Sequence, residues 1–267
     1  LENILETLRT GSLRTAMKEL DKLVMDYPDY YAAYMLQAET AKGLSDDEKV
    51  LLAYRTAARI RPDRPEPLFR LSQFHYARGQ FNEAGAACID AILLYPEASY
   101  MHFLQRIAQK TGKPYNTQWI RREVYPLSTT ANFFERTAKQ KTPWWTYQAT
   151  ESDVHDAYDS LGIRKAEASV KERYLEVYAW KQVLDDTSRF YFPFARAMRK
   201  AGYLDCYVLV SCFHQDLYTQ FADLAKHDPQ KIRDYFFVLM NWENKKFDKL
   251  RKEFFITLPS PDKRSTK

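Results

Sequence analysis

Apolar side chains recur every three or four residues along most of the chain, which is the spacing that puts them on one face of an α-helix. Near the start this spacing is followed by Leu13, Ala16, Leu20 and Leu23. In the other half of the chain it is followed by Val170, Tyr174, Val177 and Leu184. The pattern therefore predicts an all-α fold in both halves.

A longer period is superimposed on the helical one. The tetrapeptides MDYP, RIRP and LLYP place Pro28, Pro62 and Pro96 at a constant spacing of 34 residues. Each proline follows a predicted helix, which it prevents from continuing. A repeat of this length predicts helix pairs that stack on one another, because a single pair cannot bury its own apolar face.

The best-defined copy of the repeat runs from residue 65 to residue 96. Leucines in the first helix, a turn glycine, a following aromatic residue, small residues in the second helix and a closing proline are found at Leu68, Leu71, Gly79, Phe81, Ala84, Cys88, Ala91 and Pro96. Over its whole length this copy resembles a tetratricopeptide repeat (TPR). It departs from that family at Ser72 and His75, where glycine and tyrosine are favoured.

Two weaker copies precede it in the same register. One has matching residues at Tyr34, Ala38, Val50, Tyr54, Ala57 and Pro62, with Gln37 where leucine is usual. Of the other, only the second half is present, at Gly11, Leu13, Ala16, Leu20, Leu23 and Pro28. The resemblance implies a right-handed helical solenoid over residues 1–112, with a capping helix from 97 to 112 closed by glycine.

In the TPR family the first helix of each pair lines a groove. The corresponding residues here are Met35, Glu39, Lys42, Phe69, Gln73 and Tyr76. TPR proteins that clamp acidic chaperone tails use lysines and asparagines at the positions that are held here by Met35, Glu39, Phe69 and Gln73. The resemblance therefore implies that this chain has no such clamp. We expect a groove for a peptide with apolar anchors. The alternative is a groove filled by the C-terminal part of the same chain.

The 34-residue register ends near residue 112, and residues 113–151 are predicted to be a connector. Pro114, Pro126 and Pro143 interrupt any long helix there. Trp144 and Trp145 lie together in a segment too short to bury them alone. We expect them to pin the connector against a helical unit, and the alternative is an aromatic platform for a sugar or a peptide.

A second helical unit is predicted over residues 152–257. Its helices are punctuated by Ser152, by Pro193 and Gly202, and by Pro229. Glu172 and Glu176 share one predicted helix face, as an acid and base pair would. Because Lys171 and Arg173 stand beside them, solvent-exposed carboxylates are the expected interpretation.

Two cysteines and a histidine stand close together in GYLDCYVLVSCFHQDLY, where Leu204, Val208, Ser211 and Cys212 predict an α-helix. At about 100° per residue, Cys206 and Cys212 lie roughly 120° apart, and Cys212 and His214 lie roughly 160° apart. These residues therefore predict no local metal site. We expect Cys212 to be a small core residue, and a thiol nucleophile with a distant histidine is the alternative.

The charge distribution excludes a basic nucleic-acid surface over most of the chain. The net charge of +5 is matched by residues 245–267, which hold eight Lys or Arg and three Asp or Glu. Residues 258–267 are interpreted as a solvated basic tail rather than as a phosphate-binding surface.

Composition argues against two further classes of protein. The chain has only 7 glycines and no phosphate-binding glycine loop. No apolar run in the sequence is long enough to span a bilayer.

We therefore expect a non-enzymatic interaction or scaffold protein with a protein or peptide partner, and with no catalytic residues, metal or cofactor. The rival hypothesis is a hydrolase-like enzyme with a site between the two helical parts, using His155, Glu176 and His214. Segments such as YLEVYAWKQVL resemble uncharacterised bacterial envelope proteins, which tilts the expected location toward an exported protein. Because Leu1 lies within a predicted helix, further residues are expected upstream, and the compartment and the oligomeric state stay open.

Overall fold

The structure of the chain is a computed structural model that describes residues 2–112, 174–186, 193–213 and 215–241. The chain divides into two compact units, Leu1–Asn116 and Thr117–Lys267. Every regular element in the described ranges is helical, which confirms the all-α fold class. None of the described helices combines the length and the apolarity that crossing a bilayer requires.

The first unit contains α1 (Glu2–Arg9), α2 (Leu13–Asp26), α3 (Tyr31–Gly43), α4 (Asp47–Ile60), α5 (Glu66–Ala77), α6 (Phe81–Leu94) and α7 (Ala98–Lys110). Each helix packs on the next helix along the chain. The second helices of the pairs, α2, α4 and α6, are each 14 residues long and begin at residues 13, 47 and 81. The predicted 34-residue register is therefore an arrangement in space, and the unit is a TPR-like helical solenoid.

Equivalent positions in this register carry the packing between helices. One position is occupied by Ala16, Val50 and Ala84, each 0% exposed. One turn later come Leu20, Tyr54 and Cys88, each at most 1% exposed. A single apolar cluster then joins α2 through α5, since it contains Met17, Ala38, Val50 and Phe74. Stacking of neighbouring helices thus buries apolar side chains of four successive helices together, which no single pair could do.

The turns inside the helix pairs follow the same register. Gly11, Ser45 and Gly79 are 34 residues apart and all have a positive φ, of 81°, 59° and 72°. A left-handed residue at the end of a helix lets the chain reverse, and glycine adopts it without steric cost. Ser45 therefore holds, at a cost, a backbone conformation that glycine holds in the other two copies.

In the second unit, the described elements are α8 (Leu175–Asp186), α9 (Pro193–Ala201), α10 (Leu204–Cys206), a π-helical turn (Tyr207–Ser211), a 3₁₀ turn (Gln215–Leu217), α11 (Tyr218–His227) and α12 (Pro229–Asn241). Proline opens α9 and α12 and Gly202 follows α9, as the sequence predicted. The core is aromatic: Tyr207, Phe221, Tyr235 and Phe236 are at most 1% exposed.

The prediction of a regular α-helix after Cys206 is wrong. The Cys212 amide donates to the Tyr207 carbonyl at 3.0 Å, which closes a wider, five-residue turn. Residues 207–210 are all apolar or aromatic and all buried, because the turn packs against both α8 and α11. A segment buried on every side has no apolar stripe, so its period could not be read from the sequence.

Several expectations lie outside the described residues. These include the connector with Trp144 and Trp145, the helices expected between 152 and 173, and the basic tail from 258 to 267. They also include His155 and His214 of the rival enzyme hypothesis and Glu172 of the carboxylate pair.

Candidate functional site: the groove of the first unit

The six predicted groove residues lie on the first helices of two successive pairs. Met35, Glu39 and Lys42 belong to α3, and Phe69, Gln73 and Tyr76 belong to α5. Lys42 is exposed and the other five are partly buried. We call these six residues the groove surface. They are the predicted site, and none of them belongs to the fully buried core.

On α3, the charged residues of the groove surface satisfy each other. The Lys42 ammonium and the Tyr54 hydroxyl both donate to the Glu39 carboxylate. Burial alone would raise the pKa of Glu39, but these two hydrogen bonds outweigh it and hold that pKa below its ordinary value. The hydroxyl of Tyr54 is thereby fixed, and the pKa of Tyr54 is raised by burial and by the Glu39 carboxylate.

On α5, the groove surface is aromatic and packs against the capping helix, α7. The Phe69 ring lies 4.3 Å from the Tyr100 ring and 5.4 Å from the Phe103 ring, measured between centroids. Such pairs contribute about 0.5–1.5 kcal/mol each beyond the area that they bury. Phe69 is therefore both a candidate contact residue and part of the packing between α5 and α7.

Tyr76 is the second aromatic residue of the groove surface, and we call Phe69 and Tyr76 its two aromatic corners. The Tyr76 ring lies 5.2 Å from Phe103 and 5.5 Å from Phe81, again between centroids. The exposed Arg106 guanidinium lies over Phe103 at 4.9 Å and over Tyr76 at 5.9 Å. Contact with aromatic faces restrains a cation, and such restraint lowers the entropy cost of binding.

Sequence reasoning missed Arg106 because α7 does not keep the 34-residue spacing. Arg106 follows Gln73 by 33 residues, and the positive-φ Gly112 follows Gly79 by 33 as well. A register shortened by one residue would have put Arg106 beside the groove surface. The closing glycine was the feature from which that shift could have been read.

Between the aromatic corners lies a polar side chain. The Gln73 amide oxygen accepts a hydrogen bond of 3.4 Å from Arg70, which also lies 3.9 Å from Glu66. Arg70 is close enough to Glu39 to help lower the pKa of that carboxyl group. The charges on α3 and α5 therefore interact, and the groove surface offers apolar rings beside polar groups.

Two of the residues that depart from the TPR pattern have structural roles. Ser72, at a position that usually holds glycine, is 0% exposed, and its hydroxyl donates to the Ala84 carbonyl at 2.6 Å. Gln37, at a position that usually holds leucine, is 6% exposed and donates to Asp21 at 2.8 Å. Lys49 donates to the same carboxylate at 2.9 and 3.0 Å. These polar substitutions are thus hydrogen-bonded inside the solenoid.

The rival catalytic residues are only partly within the described ranges. Glu176 is only 9% exposed, so the expectation of a solvent-exposed carboxylate is wrong at this position, because α8 turns this residue toward the interior of the second unit. Its backbone amide donates to the Gln220 side chain at 3.1 Å. It lies near Cys212, and burial, aided by this carboxylate, raises the pKa of the Cys212 thiol to about 12. Burial also raises the pKa of Cys206. Such thiols are protonated at neutral pH and are poor nucleophiles.

The three cysteines, Cys88, Cys206 and Cys212, are free thiols. Among the described residues, no group of three His, Cys, Asp or Glu side chains is close enough to hold a metal ion.

No protein-family model matches the chain, and no curated protein sequence matches it either. Among solved structures, the chain is similar to that of PilW, described as a widely conserved type IV pilus biogenesis factor. The identity is 13%, the alignment covers 88% of this chain and 96% of the PilW chain, and the TM-score is 0.37. The TPR-like fold of the first unit is assigned from its own repeat geometry.

Proposed function

We propose that this chain is a protein-interaction or scaffold protein whose first unit binds a segment of a partner protein along the groove surface. The observation that supports it is the arrangement of α5. Phe69 and Tyr76 pack against α7 yet stay partly exposed, and the Arg106 guanidinium lies over the Tyr76 ring. Aromatic residues and arginine are enriched at protein interfaces, and tyrosine and arginine are enriched among the few residues that carry most of the binding energy.

The two ends of the groove surface have different parts in this proposal. On α3, Glu39 is engaged by Lys42 and Tyr54, so a partner gains little by contacting it. On α5, the rings are fixed by neighbours and Gln73 lies between them. We therefore assign the main contact to α5 and α7, with apolar side chains of the partner against Phe69 and Tyr76.

The experiment that tests this function starts from peptides selected on the immobilised full-length chain from a random peptide-display library. Their dissociation constants are then measured by fluorescence polarisation with wild type and with Gln73→Lys. Gln73 lies between the two aromatic corners and its replacement removes no ring contact, so the fold is retained. Burying an unpaired ammonium should weaken binding by about tenfold or more.

Leu52→Lys is the matched control. Leu52 lies on the second helix of its pair and is 67% exposed, so lysine there adds the same charge away from the groove surface. Its dissociation constant should stay within about twofold of wild type. Selected peptides that bind Gln73→Lys as tightly as wild type would move the binding site elsewhere.

A further inference from the structure

The end of α2 and the turn that follows it carry apolar and aromatic residues at exposed positions, where polar residues are expected. Met25, Tyr27 and Tyr30 are 81%, 62% and 38% exposed. The register supplies an internal comparison, because the residues 34 positions later are Arg59, Arg61 and Arg64, all exposed. The same backbone positions thus carry three arginines in one copy and a methionine with two tyrosines in the other.

The two turns also have opposite charge. Residues 25–30, the tyrosine turn, contain two aspartates and no basic residue, which gives −2. Residues 59–64, the arginine turn, contain three arginines and one aspartate, which gives +2. Asp26 and Asp29 form no ion pair within the described part of the chain. In the arginine turn, Arg61 is paired with Asp63 at 2.8 Å.

The tyrosine and arginine turns are neighbours on one edge of the solenoid. Tyr31, which directly follows the tyrosine turn, interacts electrostatically with Arg61, Asp63 and Arg64. Tyr27, Pro28 and Tyr30 line an open depression of about 540 Å³. A guanidinium placed there would lie against aromatic faces and next to the unpaired carboxylates, which are the two partners that arginine prefers.

We infer that this edge binds a second copy of the same chain, with the tyrosine turn of each protomer against the arginine turn of the other. A two-fold axis between the turns makes both contacts at once, because a surface with adjacent complementary halves is complementary to itself after a half-turn. Apolar side chains at exposed positions are typical of such interaction surfaces.

The expected dimer is weak and salt-sensitive. Two turns offer about a dozen residues per protomer, fewer than the roughly 20–30 of a stable interface. Much of the attraction is between exposed charges, which salt screens. Association should therefore depend on protein concentration and weaken as salt is raised.

The test is sedimentation of the full-length chain over a hundredfold range of concentration, with two charge-reversed variants. Asp26→Lys/Asp29→Lys makes both turns positive, and Arg59→Glu/Arg64→Glu makes both turns negative. Each variant alone should dimerise at least about tenfold more weakly than wild type, because like charges then meet at both contacts. An equimolar mixture of the two should dimerise again, since opposite charges face each other at both contacts.

Glu48→Lys/Glu83→Lys is the control. It makes a charge change of the same size at the N-terminal ends of α4 and α6, whereas the tyrosine and arginine turns lie at the C-terminal ends of α2 and α4. This variant should dimerise like wild type. Met25→Arg/Tyr27→Arg/Tyr30→Arg, which copies the arginine turn into the tyrosine turn, should be monomeric. Circular dichroism checks that each variant is folded. A monomeric wild type, charge variants that dimerise like wild type, or a mixture that stays monomeric would each overturn the inference.

Discussion

At the scale of single residues, Ser45 is the clearest departure from the repeat. It holds a φ of 59° where Gly11 and Gly79 stand in the neighbouring copies. A left-handed residue with a Cβ costs about 1–2 kcal/mol, of which the extra freedom of glycine in the unfolded chain offsets a part. Ser45→Gly should therefore raise the free energy of unfolding by about 0.5–1 kcal/mol, as measured by urea denaturation.

Gly79→Ala is the converse substitution and the control. A Cβ at Gly79 would meet no atom within 4 Å, so the φ of 72° is the only source of strain. The substitution should lower the free energy of unfolding by about 1 kcal/mol. If Ser45→Gly also destabilises the protein, the assignment of a shared turn conformation to these positions is wrong.

Ser72 is a polar residue in the core of the first unit. Its hydroxyl is buried and donates to the Ala84 carbonyl across the helix pair. Ser72→Ala keeps the helix and removes this hydrogen bond together with the hydroxyl's interaction with the Cys88 thiol, so it should cost about 0.5–1.5 kcal/mol in thermal or urea unfolding. An unchanged stability would show that this hydrogen bond contributes nothing net to the pairing of α5 and α6.

Cys88 links stability to alkaline pH. Burial raises the pKa of this thiol to about 12, whereas in the unfolded chain it is near 8.5. Because the folded pKa is the higher one, the stabilisation is complete below about pH 8.5 and is lost as the pH rises toward 12. The stability advantage of wild type over Cys88→Ala should thus shrink between about pH 8 and pH 11. Parallel pH profiles would contradict a protonated, buried thiol.

At the scale of elements, Asp21 joins three helices. It accepts from Gln37 of α3 and from Lys49 of α4 while belonging to α2. Asp21→Ala should cost about 1–2 kcal/mol, because it leaves the nearly buried Gln37 amide without its acceptor. In a Gln37→Leu background the same substitution should cost clearly less, and a double-mutant cycle measures the difference. Additive effects would show that the two side chains are not coupled.

The helices of the first unit could be predicted from the sequence because proline spacing, turn glycines and small residues agreed with one another. At Pro28, Pro62 and Pro96 the register could be fixed without any structure. The capping helix was predicted, but its one-residue shift was not, and Arg106 was missed for that reason. The turn at 207–211 could not be predicted, since burial on all sides removes the periodicity that identifies a helix type.

At the scale of the whole molecule, five of the six predicted groove residues are partly buried and Lys42 is exposed. Their position on successive first helices followed from the register alone. Their contacts did not, because the ring stack on α7 and the pairing of Glu39 with Tyr54 depend on side chains far apart in sequence. The proposal that the main contact lies on α5 and α7 is therefore drawn from these side-chain contacts and not from the register.

The central claim is that α5 and the capping helix α7, and not the second helices of the pairs, contact the partner. It is tested most directly by a photo-crosslinking amino acid placed in the full-length chain at Gln73 or Arg106 and, for comparison, at Leu52 or Ala86, which lie on α4 and α6 and are exposed. A selected peptide should crosslink from Gln73 and Arg106 and be competed by unlabelled peptide. Equal or stronger crosslinking from Leu52 and Ala86 would contradict the account.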